Sequence, residues 1–292
     1  MRAFLCGSGL GAMGLPETCN AIIRLANRSH TLKVVYLGTA TYDLPEQATI
    51  QTKLLREAGC IVTCVDIALC DSEPDALEAI AQADVILGSG GNTLFAMDRF
   101  AATGVDRLLR EASERGAVMC GGSAGAIMFF DGGHSDSGDP TSFKRAMVDH
   151  EVVRDDSSWK YIRVSGLGLL PGLLCPHLDQ VQSNGVLRCT DFESMMLKHP
   201  GELGIGLDHW AALHIDGEHY KVISFEGKSG SVLPDGSFGV GGVPGLWTFE
   251  VVDGKVHTSL ASNQGLLANL LRPAATIDLD PNEQVIRNIN KI

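Results

Sequence analysis

Short apolar runs alternate with segments of helical spacing through the first two thirds of the chain. The runs are four to six residues long and most of them end at a glycine, as expected of buried strands. Between them, apolar residues recur at the three- and four-residue spacing of helices that face a core. This order predicts parallel strands joined by helices. The predicted strands are 2–6, 33–37, 61–66, 84–87 and 117–120, and the predicted helices are 17–27, 44–58, 73–83 and 93–114.

The last third of the chain has a different pattern. Two Asp-Gly pairs, at 216–217 and 253–254, are each flanked by short β-type runs, and Asp-Gly is a strong signal for a two-residue hairpin turn. We therefore expect antiparallel strands added at the edge of the sheet. Residues 133–160 are polar and irregular, which predicts an active-site loop region. All 292 residues are expected to form a single α/β domain, with a parallel core at 1–210 and hairpins and a polar tail at 211–292.

Composition excludes several classes of protein. Hydrophobic residues make up 45% of the chain and charged residues 20%, which is too apolar for a disordered chain. Apolar runs are too short for a membrane span. The formal charge of -12, with no basic run, argues against nucleic acid or an anionic membrane as a partner. Any acidic ligand would have to be bound by local cations.

The cysteines and the first residues indicate a reducing compartment. The chain has eight cysteines and no C-x-x-C pair, and free cysteines of this kind are usually buried as small apolar side chains. The N-terminal segment passes directly from a short apolar run into glycines and lacks the longer apolar region of a signal peptide. We therefore expect a cytoplasmic protein.

The strongest chemical signal is the sequence G-G-S-A-G at residues 121–125. It follows the strand predicted at 117–120 and precedes an apolar run, 126–130, that can begin a helix. This is the context of a nucleophile elbow, in which glycines allow a sharp turn that lifts a serine hydroxyl out of the sheet. The elbow predicts Ser123 as a nucleophile, with the N–H of Ala124 directed at a developing oxyanion.

A serine hydroxyl needs a base, and His177 is the best candidate. It follows an apolar run that we predict to be a strand, and the carboxyl edge of a parallel sheet is where active sites of α/β proteins assemble. His134, in the segment after the elbow, is second. The histidines at 209, 214 and 219 are interpreted as polar positions of edge strands.

The residues leave the carboxylate that would orient the base open. The segment after the elbow contains three candidates, and two more lie further along the chain. They are Asp131, Asp136 and Asp139, and then Asp179 and Asp208. Spacing alone does not choose among them.

Two further glycine-rich segments follow predicted strands. Residues 88–93 (G-S-G-G-N-T) precede a helix, so their backbone N–H groups are candidates for a second oxyanion donor. Residues 9–14 fit G-x-G-x-x-G, but the next strand does not end in the acidic residue that a dinucleotide site requires. We therefore predict no organic cofactor, and no metal.

Taken together, these motifs resemble the serine peptidases of the dipeptidase E type, peptidase family S51, which include alpha-aspartyl dipeptidase and cyanophycinase. The G-G-N-T loop at 90–93, the elbow at 122–125 and the Pro176-His177 pair after an apolar strand carry the likeness, which extends over about residues 33–215. The resemblance implies an α/β fold with a flavodoxin-like parallel sheet and helices on both faces, as in class I glutamine amidotransferases. It also implies hydrolysis of a peptide bond.

The resemblance also implies roles for individual residues. The catalytic residues are Ser123 as nucleophile, His177 as general base and Asp136 as the acid, with Asp139 left open. The oxyanion and substrate-binding residues are Ala124, Gly90, Gly91, Asn92 and Arg188. Arg188 stands where the family has an arginine for the side chain of a substrate aspartate, although the neighbouring charged residues of the family pattern are absent here.

The sequence therefore predicts a serine peptidase that hydrolyses small peptides, including dipeptides with N-terminal aspartate, through an acyl-enzyme. A homodimer is the expected assembly. The alternatives are an α/β-hydrolase esterase and a catalytically inactive binding homologue. An esterase would have its histidine near the C-terminus and an H-G-G-G type oxyanion motif, and the sequence has neither.

Overall fold

The computed structural model describes residues 1–69, 74–141 and 157–277. Strands in this part of the chain form two large sheets and a two-stranded sheet, in a mixed α/β fold. The strands are β1 (Arg2–Cys6), β2 (Lys33–Leu37), β3 (Ile61–Val65), β4 (Val85–Gly88), β5 (Val118–Gly122), β6 (Phe130–Ser135), β7 (Ile162–Ser165), β8 (Leu170–Cys175), β9 (Gly204–Leu207), β10 (Ala211–Asp216), β11 (His219–Ser224), β12 (Gly230–Val232), β13 (Phe238–Gly242), β14 (Leu246–Val252), β15 (Lys255–Leu260) and β16 (Gln264–Leu266).

The first sheet contains the predicted parallel strands. Its order is β16-β11-β10-β1-β5-β4-β2-β3, and β1, β5, β4, β2 and β3 run parallel to one another. Side chains of β1 alternate between two buried clusters, with Leu5 in one and Phe4 in the other. A strand that is buried on both faces has a continuous apolar sequence, which explains why β1, β2, β4 and β5 were recognisable as apolar runs, whereas the edge strand β3 is partly exposed.

Helices connect the parallel strands as predicted, with one difference. The segment predicted as a single helix at 93–114 is divided at Gly104, whose φ of 74° is left-handed and ends one helix before the next begins. The helices are α1 (Pro16–Ala26), α2 (Pro45–Glu57), α3 (Pro74–Gln82), α4 (Thr93–Thr103), α5 (Val105–Glu114), α6 (Ala124–Ile127), α7 (Arg188–Met196) and α8 (Leu267–Leu270).

Both predicted hairpins are present, at the edges of different sheets. Strands β10 and β11 are joined by a turn at Gly217 and Glu218, one residue later than the predicted Asp-Gly turn, and extend the first sheet antiparallel to β1. Strands β14 and β15 turn at Asp253-Gly254, where both residues have positive φ, and they belong to the second sheet.

The second sheet corrects the expectation of one sheet throughout the core. Its order is β15-β14-β9-β8-β6-β7, with β6, β8 and β9 parallel. The apolar run after the elbow is not a helix beyond one turn, because α6 ends at Ile127 and β6 begins at Phe130. Residues 133–135, expected in a loop, are part of this strand, while residues 142–156 of that predicted loop lie outside the described part.

Two expectations, on the burial of the cysteines and on membrane spans, can be compared with the described residues. Five of the seven described cysteines are buried free thiols, and Cys60 and Cys64 are half-buried. None of the helices in the described ranges is both long and apolar enough to cross a lipid bilayer.

Candidate active site

Ser123 occupies a sharp turn between β5 and α6. Its φ of 56° and ψ of -122° are unusual for a residue with a side chain, and such a conformation costs on the order of 1–3 kcal/mol. The turn is held because the N–H of Ser123 donates to the carbonyl of Cys6 at 3.2 Å, while its own carbonyl accepts from Ala126 and Ile127. The elbow geometry that the G-G-S-A-G sequence predicted is therefore present, with the serine side chain partly exposed.

The glycines around Ser123 are required by close approach of backbone atoms. A Cβ on Gly121 would lie 2.2 Å from the carbonyl oxygen of Gly125, and one on Gly125 would lie 2.2 Å from that of Gly88. A Cβ on Gly122 would lie 2.0 Å from the carbonyl oxygen of Ser8. Because glycine has no side chain, the loop after β4, the end of β1 and the elbow can pack directly on one another at these positions.

The second glycine-rich loop lies beside Ser123. A Cβ on Gly90 would lie 3.7 Å from the Cβ of Ser123, which places the Gly90 backbone against the elbow. Gly91 has a φ of 117°, a conformation open to glycine alone among common residues. The side chain of Asn92 caps α4 by accepting from the N–H of Phe95 at 3.0 Å. Asn92 therefore fixes the start of α4, and its backbone N–H donates to Ala40.

The end of β1 also holds His177. The N–H of His177 donates to the carbonyl of Gly7 at 3.1 Å, next to the Cys6 carbonyl that accepts from Ser123. His177 has a positive φ of 51° and is partly exposed. The predicted nucleophile and the predicted base are thus anchored to successive carbonyls at the carboxyl end of one strand.

The imidazole of His177 contacts a second histidine. Its Nδ1 lies 2.8 Å from the Nδ1 of His209, and the two ring centroids are 4.8 Å apart. Burial, the positive charge of Arg188 and the neighbouring His209 hold the pKa of His177 well below its usual value. His177 is therefore neutral near pH 7, as a general base must be.

Asp136 has a different partner from the one the sequence analysis assigned to it. Its Oδ2 lies 3.5 Å from Nη1 of Arg188, whereas the partner of the His177 Nδ1 is His209. Asp136 directly follows β6 in the second sheet, and this strand ends beside the first residue of α7, which is Arg188. The described contacts therefore join Asp136 to the predicted substrate arginine rather than to the predicted base.

Arg188 is completely buried and makes several contacts within the protein. Its Nη2 donates to the carbonyl of His134 at 2.5 Å, its Nε faces the Nδ1 of the same histidine at 3.3 Å, and Nη1 donates to Gln182 at 3.2 Å. Its guanidinium also lies over the ring of Tyr161, 4.9 Å from the centroid. The donors of Arg188 are thus directed at protein acceptors.

The other carboxylates that the sequence left open hold backbone segments in place. Asp139 accepts from Thr141 and from Ser183, and Asp131 accepts from the N–H of Gly172. Asp208 is buried and accepts from Ser231 and Gly245, and burial together with the nearby Asp179 raises its pKa to about 6. Asp179 accepts from the backbone N–H of His209 at 2.7 Å, so among these carboxylates it is the one with a described hydrogen bond to the histidine pair.

The second-choice base, His134, is a core residue. It is fully buried, its Nε2 lies 2.8 Å from Asp191, and its ring stacks on Tyr161. Burial is the main cause that lowers its pKa to about 4. His134 therefore supports Arg188 and α7, and His214 and His219 lie on β10 and β11 as the sequence analysis expected.

Comparison with known proteins gives the family. The model of Peptidase family S51 matches residues 3–223. The chain belongs to peptidase family S51. It is a serine peptidase of the dipeptidase E type, so the resemblance seen in the sequence motifs is confirmed.

Two proteins that are similar in sequence to this S51 peptidase are described as a peptidase and as a cyclin. Uncharacterized peptidase YgaJ of Bacillus subtilis (strain 168) is 36% identical over 182 residues, covering 61% of this chain and 70% of that protein. A Trypanosoma brucei brucei protein named G2/mitotic-specific cyclin-1 is 29% identical over 312 residues, covering 95% of this chain and 90% of that protein.

Two solved structures share the fold of this S51 peptidase. A peptidase from an acI-B1 Actinobacterium has a TM-score of 0.61 at 15% identity, covering 91% of this chain and 96% of that one. A protein assigned as a peptidase E, from Listeria monocytogenes EGD-e, has a TM-score of 0.51 at 18% identity, covering 76% of this chain and 97% of that one.

Sequence reasoning did not place His209 beside His177 in this S51 peptidase. The five-residue spacing of three histidines suggested a strand edge, but His209 lies before β10, two residues after the end of β9. His177 lies two residues after the end of β8, and β8 and β9 are parallel neighbours. Equivalent positions after adjacent parallel strands meet at one edge of a sheet, and this signal would have found the pair.

Proposed function

We propose that this S51 peptidase hydrolyses short peptides with Ser123 as the nucleophile and His177 as the general base. The observation that carries the proposal is the strained backbone of Ser123, anchored beside that of His177 at the end of β1. A strained serine conformation persists only where the surrounding structure enforces it, and such strain is concentrated at functional sites. The low pKa of His177 supports the base role because it keeps the imidazole unprotonated.

The proposed reaction follows the order of serine peptidase chemistry. Ser123 Oγ attacks the scissile carbonyl carbon while its proton passes to Nε2 of His177. The N–H groups of Ala124 and of Gly90 or Gly91 are proposed to stabilise the oxyanion. The intermediate then releases the amine, which takes the proton from His177, and leaves an ester on Ser123. Water attacks this ester while His177 takes a proton from the water. The bond to Ser123 then breaks, Ser123 Oγ takes the proton back from His177, and the peptide acid is released.

We propose that N-terminal aspartate is not required in the substrate. Selection for an acidic side chain needs an accessible cation, and Arg188 was the sequence-based candidate. The Arg188 side chain has no exposed surface, and Asp136 already supplies a carboxylate to its guanidinium. An incoming carboxylate would have to displace that partner, so it gains little from the site.

Dipeptide hydrolysis tests this proposal. We expect Asp-Leu and Ala-Leu to be cleaved with kcat/KM values within about tenfold of each other, and Ser123→Ala to lower both by about 10⁴-fold or more. Ser194→Ala is the matched control, because Ser194 lies on the exposed face of α7 and its hydroxyl donates to the backbone carbonyl of Thr190. A preference for Asp-Leu above a hundredfold would contradict the substrate proposal, and unchanged turnover in Ser123→Ala would contradict the nucleophile.

We also propose the sheet arrangement, the single domain, the compartment and the homodimer that the sequence analysis expected. The order β1-β5-β4-β2-β3, with helices between the strands, supports the flavodoxin-like arrangement of the parallel half of the first sheet. We propose that the chain is one cytoplasmic domain. Limited proteolysis, sedimentation and cell fractionation would test the single domain, the homodimer and the compartment respectively.

A further inference from the structure

We infer that His209 is the positioning residue that orients His177, in the place where serine–histidine peptidases commonly use a carboxylate. The inference rests on the proposed roles of Ser123 and His177 and goes beyond them, because neither role specifies what holds the base. The observation that carries it is the Nδ1–Nδ1 distance of 2.8 Å between His177 and His209. This is hydrogen-bond length, so one of the two nitrogens carries the proton and the other accepts it.

The reaction decides which nitrogen is the donor. His177 must offer an unprotonated Nε2 to the serine hydroxyl, so its own ring proton is on Nδ1. That N–H donates to the Nδ1 of His209, which is therefore unprotonated, and His209 carries its proton on Nε2. When His177 takes the proton from Ser123 it becomes an imidazolium, and its Nδ1–H still donates to His209. No proton needs to pass to His209.

The backbone of His209 is fixed on both sides of the residue. Its N–H donates to Asp179 Oδ1 at 2.7 Å, and its carbonyl accepts from the hydroxyl of Ser8 at 2.8 Å. Ser8 is itself buried and accepts from the N–H of Ala12 at 2.8 Å. The ring of Trp210 packs edge-on against the His209 imidazole, with centroids 4.8 Å apart. A residue held in this way limits how far the ring bonded to it can rotate.

The carboxylates that could take this role have other partners. Asp136 faces Arg188, Asp139 binds Thr141 and Ser183, and Asp208 binds Ser231 and Gly245. Asp179 contacts the histidine pair through the backbone N–H of His209, not through an imidazole nitrogen of His177. Among the described residues, His209 is therefore the group that the hydrogen bonds place on the His177 Nδ1.

A neutral histidine partner affects the pKa of His177 differently from a carboxylate partner. An adjacent carboxylate favours protonation of His177, whereas Arg188 and a second imidazole disfavour it. Asp179 acts on His209, where its negative charge opposes the effect of burial on the His209 pKa. The pKa of His177 thus lies below that of an ordinary histidine, so the acid-side decline of wild-type kcat/KM should occur below pH 6.5.

Three substitutions at position 209 separate positioning from folding. His209→Ala removes the acceptor, and we expect kcat to fall about a hundredfold or more with a smaller change in KM. His209→Asn places a side-chain oxygen near the position of Nδ1, and activity should return to within about tenfold of wild type. His209→Asp supplies an anion, so the acid limb of kcat/KM should move up by about one pH unit or more.

Histidine ¹⁵N spectra of the wild-type enzyme test the same inference without a substitution. We expect the protonated nitrogens to be Nδ1 of His177 and Nε2 of His209. His219→Ala is the matched control variant, since His219 is exposed at the start of β11, and its activity and acid limb should equal those of wild type.

Particular results would overturn the inference. They are wild-type kcat in His209→Ala, an equal loss in all three folded variants with an unchanged acid limb, or the opposite tautomers in the spectra. A wild-type enzyme whose turnover does not depend on Ser123 would instead remove the proposed function and this inference with it. That result is recognised in the Ser123→Ala control, before any variant of His209 is measured.

Discussion

At the residue scale, some glycines are required because the packing around them leaves no room for a side chain. Gly125 and Gly14 show the contrast. A Cβ on Gly125 would lie 2.2 Å from the carbonyl oxygen of Gly88, whereas a Cβ on Gly14 would meet no atom within 4 Å. The G-G-S-A-G pattern predicted this requirement because glycine at the flanks of a serine is what a strained turn between packed segments needs.

Substitution of these two glycines by alanine tests the requirement. Gly125→Ala must separate the elbow from the end of β4, so we expect a melting temperature lowered by several degrees and little hydrolysis. Gly14→Ala should change the free energy of unfolding by no more than about 0.5 kcal/mol. Thermal unfolding and dipeptide turnover of both variants measure this, and equal behaviour of the two would show that the close approach is not required.

At the element scale, the apolar runs predicted the parallel strands of the first sheet to within two residues at each end. Strands β1 and β2 have the predicted bounds, because their apolar runs end at glycines. Strand β6 was missed since its sequence, F-D-G-G-H-S, has the composition of a loop. A Cβ on Gly133 would lie 2.4 Å from the carbonyl oxygen of Leu174, so β6 needs glycine to pack where it does. That need arises from a neighbouring strand and is not visible locally.

A buried ion pair joins β7 to the segment after α7. Arg163 Nε and Nη2 lie 2.9 Å from the two carboxylate oxygens of Glu202, and both side chains are completely buried. Glu202→Gln removes the negative charge that pairs with the buried guanidinium, so we expect a loss of about 3–5 kcal/mol in the free energy of unfolding.

The exposed pair of Arg107 and Glu111 provides the comparison for urea unfolding. Glu111→Gln should change the free energy of unfolding by about 0.5 kcal/mol or less, because water and salt screen an exposed pair. If Glu202→Gln were as mild as Glu111→Gln, the second sheet would not depend on the buried pair.

At the scale of the whole molecule, the sequence predicted the class of fold and the family but not the division into two sheets. Ser123 and His177 were proposed as catalytic residues because each follows an apolar strand, and both are anchored at the end of β1. The partner of His177 could not be assigned from spacing, because it depends on how the parallel pair β8 and β9 is placed against the first sheet. Contacts between distant segments decide such an assignment.

The central claim is that Ser123 is an activated nucleophile, and one measurement tests it most directly. Wild-type protein and Ser123→Ala would be incubated with a fluorophosphonate and analysed by intact mass. We predict one adduct on the wild type and none on the variant, because only a serine whose proton is taken by a base reacts readily. An adduct that persists in Ser123→Ala, or a folded and peptide-hydrolysing wild type that acquires none, would contradict the claim.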